Sequence, residues 1–203
     1  MAPKARSQMI EETRAKLLDA ARQAFGSVGY AQTSMDELTA SVGLTRGALY
    51  HHFGDKKGLL QAVVQQIDAE LDAQLAQEFE QASSPWEGFR GRCRVFLQMA
   101  LEVEVQRIML RDAPSGLGSE YLQSSQSDCS ASLAAMLRDL IEARVIQRTD
   151  PEALARLIQG GLMDASFWIA ADQQPPQRLT AALDSLDLML RGVLRVPQPG
   201  QAG

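Results

Sequence analysis

The sequence predicts an all-α protein, and three observations carry that reading. The chain is rich in Ala, Leu, Gln, Glu and Arg, all residues of high helix propensity. Apolar residues recur at intervals of three and four, and runs of alternating β-branched residues are absent. Aromatic residues make up 5% of the chain against 45% hydrophobic, so the core is built mostly from Leu, Ala, Val and Met. With 203 residues there is room for one large domain, or a small one fused to a medium one.

The elements follow in order. Ile10, Leu17, Leu18, Ala21 and Phe25 predict a helix from about residue 11 to 28, with Gly29 as its terminator. Ser34 followed by Glu37 is a capping-box pattern that opens a short helix with Met35, Leu38 and Val42 facing inward. Gly43 breaks it, and Thr45 caps a second short helix anchored by Leu49 and Phe53. Two short helices joined by a tight glycine turn make a helix-turn-helix. Asp55 caps a long helix, 56–82, striped with Leu60, Val64, Ile67, Leu71 and Leu75.

Ser84, Pro85 and Glu87 fit N-cap, first-turn and N3 positions of a further helix, with Phe89, Cys93, Phe96 and Ala100 on one face. The run APSGLGS (113–119) reads as a break, followed by a helix at 121–145. TDPEA caps another at 151–171, QQPPQ reads as a loop, and a last helix ends near Arg195. The tail 197–203 is expected to be disordered.

Composition excludes several classes of function. No apolar run approaches the ~18 residues of a membrane span, and the start, MAPKARSQMIEETRAK, lacks the apolar segment of a signal peptide. Cys93 and Cys129 fall in apolar helical patterns and are expected to be buried free thiols of a cytoplasmic protein. The net charge is −5, but it is uneven: residues 1–57 carry 8 Lys+Arg against 6 Asp+Glu, and the remainder 12 against 19. All four lysines lie in the first segment. A basic head on an acidic body fits one end touching a polyanion.

The stretch GLTRGALYHHFGDKKGLL (43–60) holds both histidines, His51 and His52. As neighbours on a helix they point about 100° apart and share no face. No third histidine exists and no cysteine or carboxylate cluster stands at ligand spacing, so no metal site is expected. There is likewise no nucleophile motif or phosphate-binding glycine loop, so neither enzyme activity nor a cofactor is expected.

The remaining partner is double-stranded DNA. A recognition helix places its N-terminal residues on base edges in the major groove, while nearby donors hold phosphates. Arg46 opens the second short helix, and arginine to guanine is the commonest specific contact. Gly47 and Ala48 are small enough to let the backbone approach, and Tyr50, His51 and His52 supply donors. Lys56 sits in the first turn of the long helix, an unfavourable place for a cation unless a phosphate is expected there.

Leu38, Gly43, Gly47, Leu49, Tyr50, His52, Phe53, Lys56 and Leu59–Leu60 stand at the spacing of a known signature. In these residues the segment 33–60 resembles the DNA-binding region of the TetR (tetracycline-repressor-like) transcriptional regulators, and AARQAFGSVGY before it resembles their first helix. Thr39 and Val42 depart from the usual small apolar residues. The resemblance implies a helix-turn-helix domain at 1–55 and a ligand-binding and dimerisation domain at 56–196. It also implies that Thr33, Tyr50, His52 and Lys56 hold phosphates, and that Thr45, Arg46, Ala48 and His51 face the groove.

The expected function is a repressor that binds a palindromic operator as a homodimer and is released by a small-molecule effector of unknown identity. The alternative is a DNA-binding protein of the same fold without such an effector, controlled by a protein partner or acting architecturally. One helix-turn-helix contacts too few base pairs to select a site, which calls for a two-fold dimer. The last two helices are the expected interface, through Leu154, Leu157, Ile158, Gly161, Leu162, Ala165 and Ile169, with Leu179, Leu183, Leu186, Leu190 and Val193. An apolar effector pocket is expected around Phe89, Cys93, Phe96, Met99, Met109, Met136, Phe167 and Trp168, with Arg107 and Arg111 either setting its polarity or simply solvated.

Overall fold

The computed structural model describes the backbone of residues 3–195 and the side chains of 7–118, 121 and 127–195. The tail 197–203 lies outside the described residues. Among these residues the secondary structure is helical: α1 Pro3–Ser27, α2 Met35–Ser41, α3 Arg46–Phe53, α4 Lys56–Gln81, α5 Pro85–Gln98, α6 Ala113–Leu117, α7 Ser119–Glu142, α8 Pro151–Ala170 and α9 Pro175–Val193. A single antiparallel bridge joins Ile146 to Leu194.

The helices pack into two compact units. The first comprises 1–71 with 103–122, and the second 72–102 with 123–203, so α4 runs from one into the other. This partition by packing differs in kind from a division of roles between DNA reading and ligand binding.

In the first unit, Leu17, Ala21 and Phe25 of α1, Leu38 of α2, Leu49 of α3 and Leu60, Val64 and Ile67 of α4 bury together with Ile108 and Leu117. Helix α1 begins about two turns before the apolar periodicity does, with Pro3 at its first position, where a missing N–H costs nothing. The capping reading holds in detail. Ser34 Oγ accepts from Glu37 N at 3.4 Å, Thr45 Oγ1 from Ala48 N at 3.2 Å, and Asp55 Oδ1 from Gly58 N at 2.6 Å. Gly43 makes the α2–α3 turn at φ +67°, a left-handed conformation that other residues adopt only with strain.

Residues 99–118 differ from expectation. A short 3₁₀ turn, Met99–Leu101, follows α5, and Glu102 is extended. The chain then re-forms as a π-helical segment, Val105–Asp112, that continues into α6. APSGLGS is therefore helical through Leu117, and the break falls at Gly118, φ +88°. The π-helical turns ahead of Pro114 explain how a proline is carried without a sharp interruption: the i→i−4 ladder, which a proline cannot complete, is already displaced.

The second unit is a bundle of α5, α7, α8 and α9. Phe89, Cys93 and Leu97 meet Leu133, Leu137, Leu140, Ile158, Leu162, Ile169, Leu179, Leu186 and Leu190 in one core. Asp150 caps α8, accepting from Glu152 N and Ala153 N at 2.9 Å. QQPPQ is not wholly loop, because Pro175 and Pro176 form the first turn of α9. Cys93 is buried, which pushes its thiol up to about 12, whereas Cys129 is only half-buried.

Candidate nucleic-acid interface

Helices α2 and α3 form the helix-turn-helix. Leu49 is fully buried and pins α3 to the first core, which turns the opposite face of α3 outward. Thr45, Arg46, Gly47, Tyr50 and His51 are exposed on that face, with Ala48 and His52 half-buried. Thr45 serves as N-cap while remaining exposed. The structure thus brings most of the expected DNA-facing residues onto one short helix.

Arg46 is not idle. It lies 3.3 Å from Asp36 Oδ2, donates to Tyr50 Oη at 2.9 Å and stands over the Tyr50 ring. The Tyr50 hydrogen bond, then the Asp36 charge, raise its already high pKa, so it stays cationic. These partners are exposed, and a guanine edge could replace them at little desolvation cost. Asp36, at the first turn of α2, is a residue the sequence reading missed; its acidic position beside the cap was visible, but not its reach across the turn.

Lys56 also has local partners. Its ammonium donates to Ala31 O at 3.3 Å and lies 4.9 Å from the centre of the Tyr30 ring. Both sit in the turn after α1, so the first turn of α4 and the end of α1 present one cation together. Gly58 is required here: a Cβ would come 2.0 Å from Phe53 O. Arg14 of α1 stacks on the Phe53 ring at 5.4 Å and fixes α1 against the end of α3.

Thr33 corrects the expectation. It is 6% exposed, and its hydroxyl donates to Gly29 O at 2.8 Å, closing the turn after α1 rather than facing outward.

The turn at 28–30 is held from the π-helical segment. Arg107 donates to Val28 O at 2.7 Å, and Asp112 accepts from Tyr30 N at 2.7 Å. Glu104 and Glu70 both bind Arg22 of α1, at 2.6 and 2.7 Å. Arg107 is half-buried and binds the carbonyl at the C-terminus of α1. Arg111 is exposed.

The residues expected to line one apolar pocket are brought together in part. Phe89 and Cys93 are fully buried in the second core, with Phe96 and Met136 packed against it, and Met99 is 4% exposed. Met109 packs on the core of the first unit. Phe167 and Trp168 are exposed on α8 and line two different depressions. The residues expected at the interface divide between core and surface. Ile158, Leu162, Ile169, Leu179, Leu186 and Leu190 belong to the intrachain core, while Leu157, Trp168, Leu188 and Met189 are exposed. Among the described residues no group of His, Cys, Asp and Glu could hold a metal, and no helix is long and apolar enough to cross a membrane.

A helix-turn-helix with a polar outward face defines a DNA-binding module, and comparison with known proteins places it. Residues 17–63 match the bacterial regulatory proteins of the tetR family, and residues 86–193 match the tetracyclin repressor-like C-terminal domain. A TetR-family transcriptional regulator from Pectobacterium atrosepticum is 53% identical in sequence, with 94% of this chain and 98% of that one covered and a TM-score of 0.84. The HTH-type transcriptional repressor Rv1474c of Mycobacterium tuberculosis is 28% identical over 93% of this chain and 98% of its own length. TtgR, an HTH-type transcriptional regulator of Pseudomonas putida, is 34% identical over 48% of each chain. The chain belongs to the TetR family: it is a helix-turn-helix, DNA-binding transcriptional regulator and not an enzyme.

Proposed function

We propose that the protein is a cytoplasmic repressor that binds a palindromic operator as a homodimer and leaves it when a small-molecule effector binds. The observation that carries this reading is the outward face of α3, where Thr45, Arg46, Tyr50 and His51 stand clear of the core over a buried Leu49. In this reading Arg46 exchanges Asp36 and Tyr50 for a base edge. Tyr50, His52 and Lys56 hold phosphates, and Thr45, Gly47, Ala48 and His51 let α3 approach the groove. Rv1474c, a relative named as a repressor, supports the sign of regulation, and ligand-responsive repression is typical of the family.

The homodimer is proposed through the outward faces of α8 and α9. Leu157 and Leu188 are 74% and 72% exposed, and the groove between the two helices is lined by Gly161, Ala165, Trp168, Ala181, Ala182 and Met189. Large exposed apolar side chains beside small ones suit close packing of helices from a second copy. Residues 1–55 would then read DNA, and 56–196 would bind the effector and the second subunit. The effector acts by favouring a dimer arrangement in which the two α3 helices no longer match successive major grooves. The test is fluorescence anisotropy on operator DNA selected from random duplexes, together with light scattering. Selection of a two-fold site by a dimer supports the reading. A monomer at micromolar concentration, or no selected site, refutes it.

A further inference from the structure

The second unit carries two adjoining depressions on α7 and α8, of about 560 and 370 Å³. Both are lined by Ser127, Ser130 and Arg156, so they form one trough. Its size lies within the roughly 300–1,000 Å³ typical of small-molecule sites.

The trough has chemically different ends. Along α8, Glu152, Arg156, Gln159, Met163 and Phe167 follow one another at intervals of three and four and share a face. At one end stand Arg156 and Arg138, with Glu152. At the other stand Met163 and the exposed ring of Phe167. Arg156 and Phe167 are about 16 Å apart along the helix axis. Between them the floor is polar, since Gln159 is 8% exposed and its Oε1 accepts from the Ser130 hydroxyl.

The two arginines differ from Arg90, Arg94 and Arg178. Arg90 and Arg94 are held by Asp187, and Arg178 by Asp172. Arg138 and Arg156 form no ion pair among the described residues, although Glu152 lines the same trough. Two guanidinium groups against one carboxylate leave positive charge in excess at that end. Asp164, beside the apolar end, disfavours a second anion there and so gives the trough a direction.

We propose that this trough binds an elongated amphipathic carboxylate. Arg156 and Arg138 hold the head, aided by the Ser127 hydroxyl, and the apolar tail runs past Met163 to Phe167. Paired guanidinium donors suit a carboxylate in geometry as well as charge. In taking this occupant as the effector, the inference rests on the regulatory reading above.

The test is calorimetric titration of the full chain at neutral pH with decanoate, decanol and decyltrimethylammonium. These share a tail and differ in the head. The wild type should bind decanoate at least about tenfold more tightly than decanol, the size of one charge-assisted contact, and should not bind the cation. Arg138→Gln combined with Arg156→Gln should lose that advantage and leave decanol unchanged. Phe167→Ala should weaken decanoate and decanol alike. All three side chains are exposed, so an unchanged melting temperature verifies folding. Absence of saturable decanoate binding, equal decanoate affinity in wild type and double variant, or preference for the cation would overturn the site. Binding as expected with operator affinity unchanged would keep the site and overturn its identification as the effector's.

Discussion

The two units are held together by different chemistry. In the first, the elements around the helix-turn-helix are tied by directed polar contacts: Arg22 to Glu70 and Glu104, Arg107 to the Val28 carbonyl, Asp112 to the Tyr30 amide, and Lys56 to the Ala31 carbonyl. In the second, one apolar core joins four helices, and the ion pairs among the described residues are Asp187 with Arg90 and Arg94, Glu87 with Arg90, and Asp172 with Arg178. Apolar burial is strong but non-directional. A charge-assisted hydrogen bond adds less stability and much more angular definition. The difference teaches a division of labour: packing gives the bundle its stability, whereas the DNA-reading helices need an orientation, and polar ties supply it.

The largest effect that probes this contrast comes from the two cores. Leu49 and Leu137 are both fully buried, one in each core. Truncation of either to Ala should cost ~2–5 kcal/mol in urea or thermal unfolding. Operator affinity should separate them. Leu49→Ala releases α3 and should abolish specific binding below the melting temperature, while Leu137→Ala should preserve it. Equal losses of binding would show that the units are not distinct in role.

Next comes the ion cluster. Asp187 is 9% exposed, yet the Arg90 hydrogen bond, reinforced by Arg94 and Arg191, holds its carboxyl below the usual carboxylate range. A depressed folded pKa contributes stability that is present above the unfolded value, about 4, and is lost as pH falls through the folded value. Asp187→Asn should therefore cost ~1–3 kcal/mol at neutral pH. It should also flatten the acid limb of the stability profile below about pH 4. An unchanged acid limb would mean that Asp187 gains nothing from the arginines.

A smaller effect tests the polar ties themselves. Arg107→Met keeps the apolar stem and removes the donor to Val28 O. The loss in stability should be ~0.5–1.5 kcal/mol. Operator affinity should fall by more than that loss of folding explains, because the turn bearing Tyr30, and with it Lys56, becomes free to shift. Anisotropy well below the melting temperature measures it, and unchanged affinity would show that the tie is only structural.

These differences also explain what was legible in the sequence. The helix-turn-helix was legible because its signals are local: Ser34, Gly43, Thr45 and Asp55 each act within a few residues of themselves. The extension of α1 to Pro3 was not, since no apolar periodicity runs ahead of Ile10. Neither was the extended residue Glu102, which has no Gly or Pro beside it. Helix α8 is apolar over much of its circumference, so periodicity alone could not tell the core stripe of Ile158 and Leu162 from the exposed one of Leu157 and Trp168. The role of Arg107 depends on a carbonyl 79 residues away, which no spacing encodes. The trough was missed because its residues look like an ordinary solvated face of α8 until α7 is placed beside it.

Effects confined to DNA affinity, with little change in folding stability, sharpen the assignment within the first unit. Arg46 and Lys56 are both cations with local partners, but their settings differ. Arg46 stands on the exposed face of α3, held by side chains that can turn away. Lys56 is anchored to a backbone carbonyl and an aromatic ring at the junction of α1 and α4. A residue that reads a base should discriminate among sequences, and one that holds a phosphate should not. Arg46→Ala should thus cost ~1–3 kcal/mol on the selected operator, relax preference at one base position, and change non-specific binding little. Lys56→Ala should weaken all duplexes alike and reduce the slope of log affinity against log salt by about one. The two measurements come from the same salt series on operator and scrambled DNA. Should Lys56→Ala instead alter base preference, or Arg46→Ala weaken both duplexes equally, the roles assigned to the two cations would have to be exchanged.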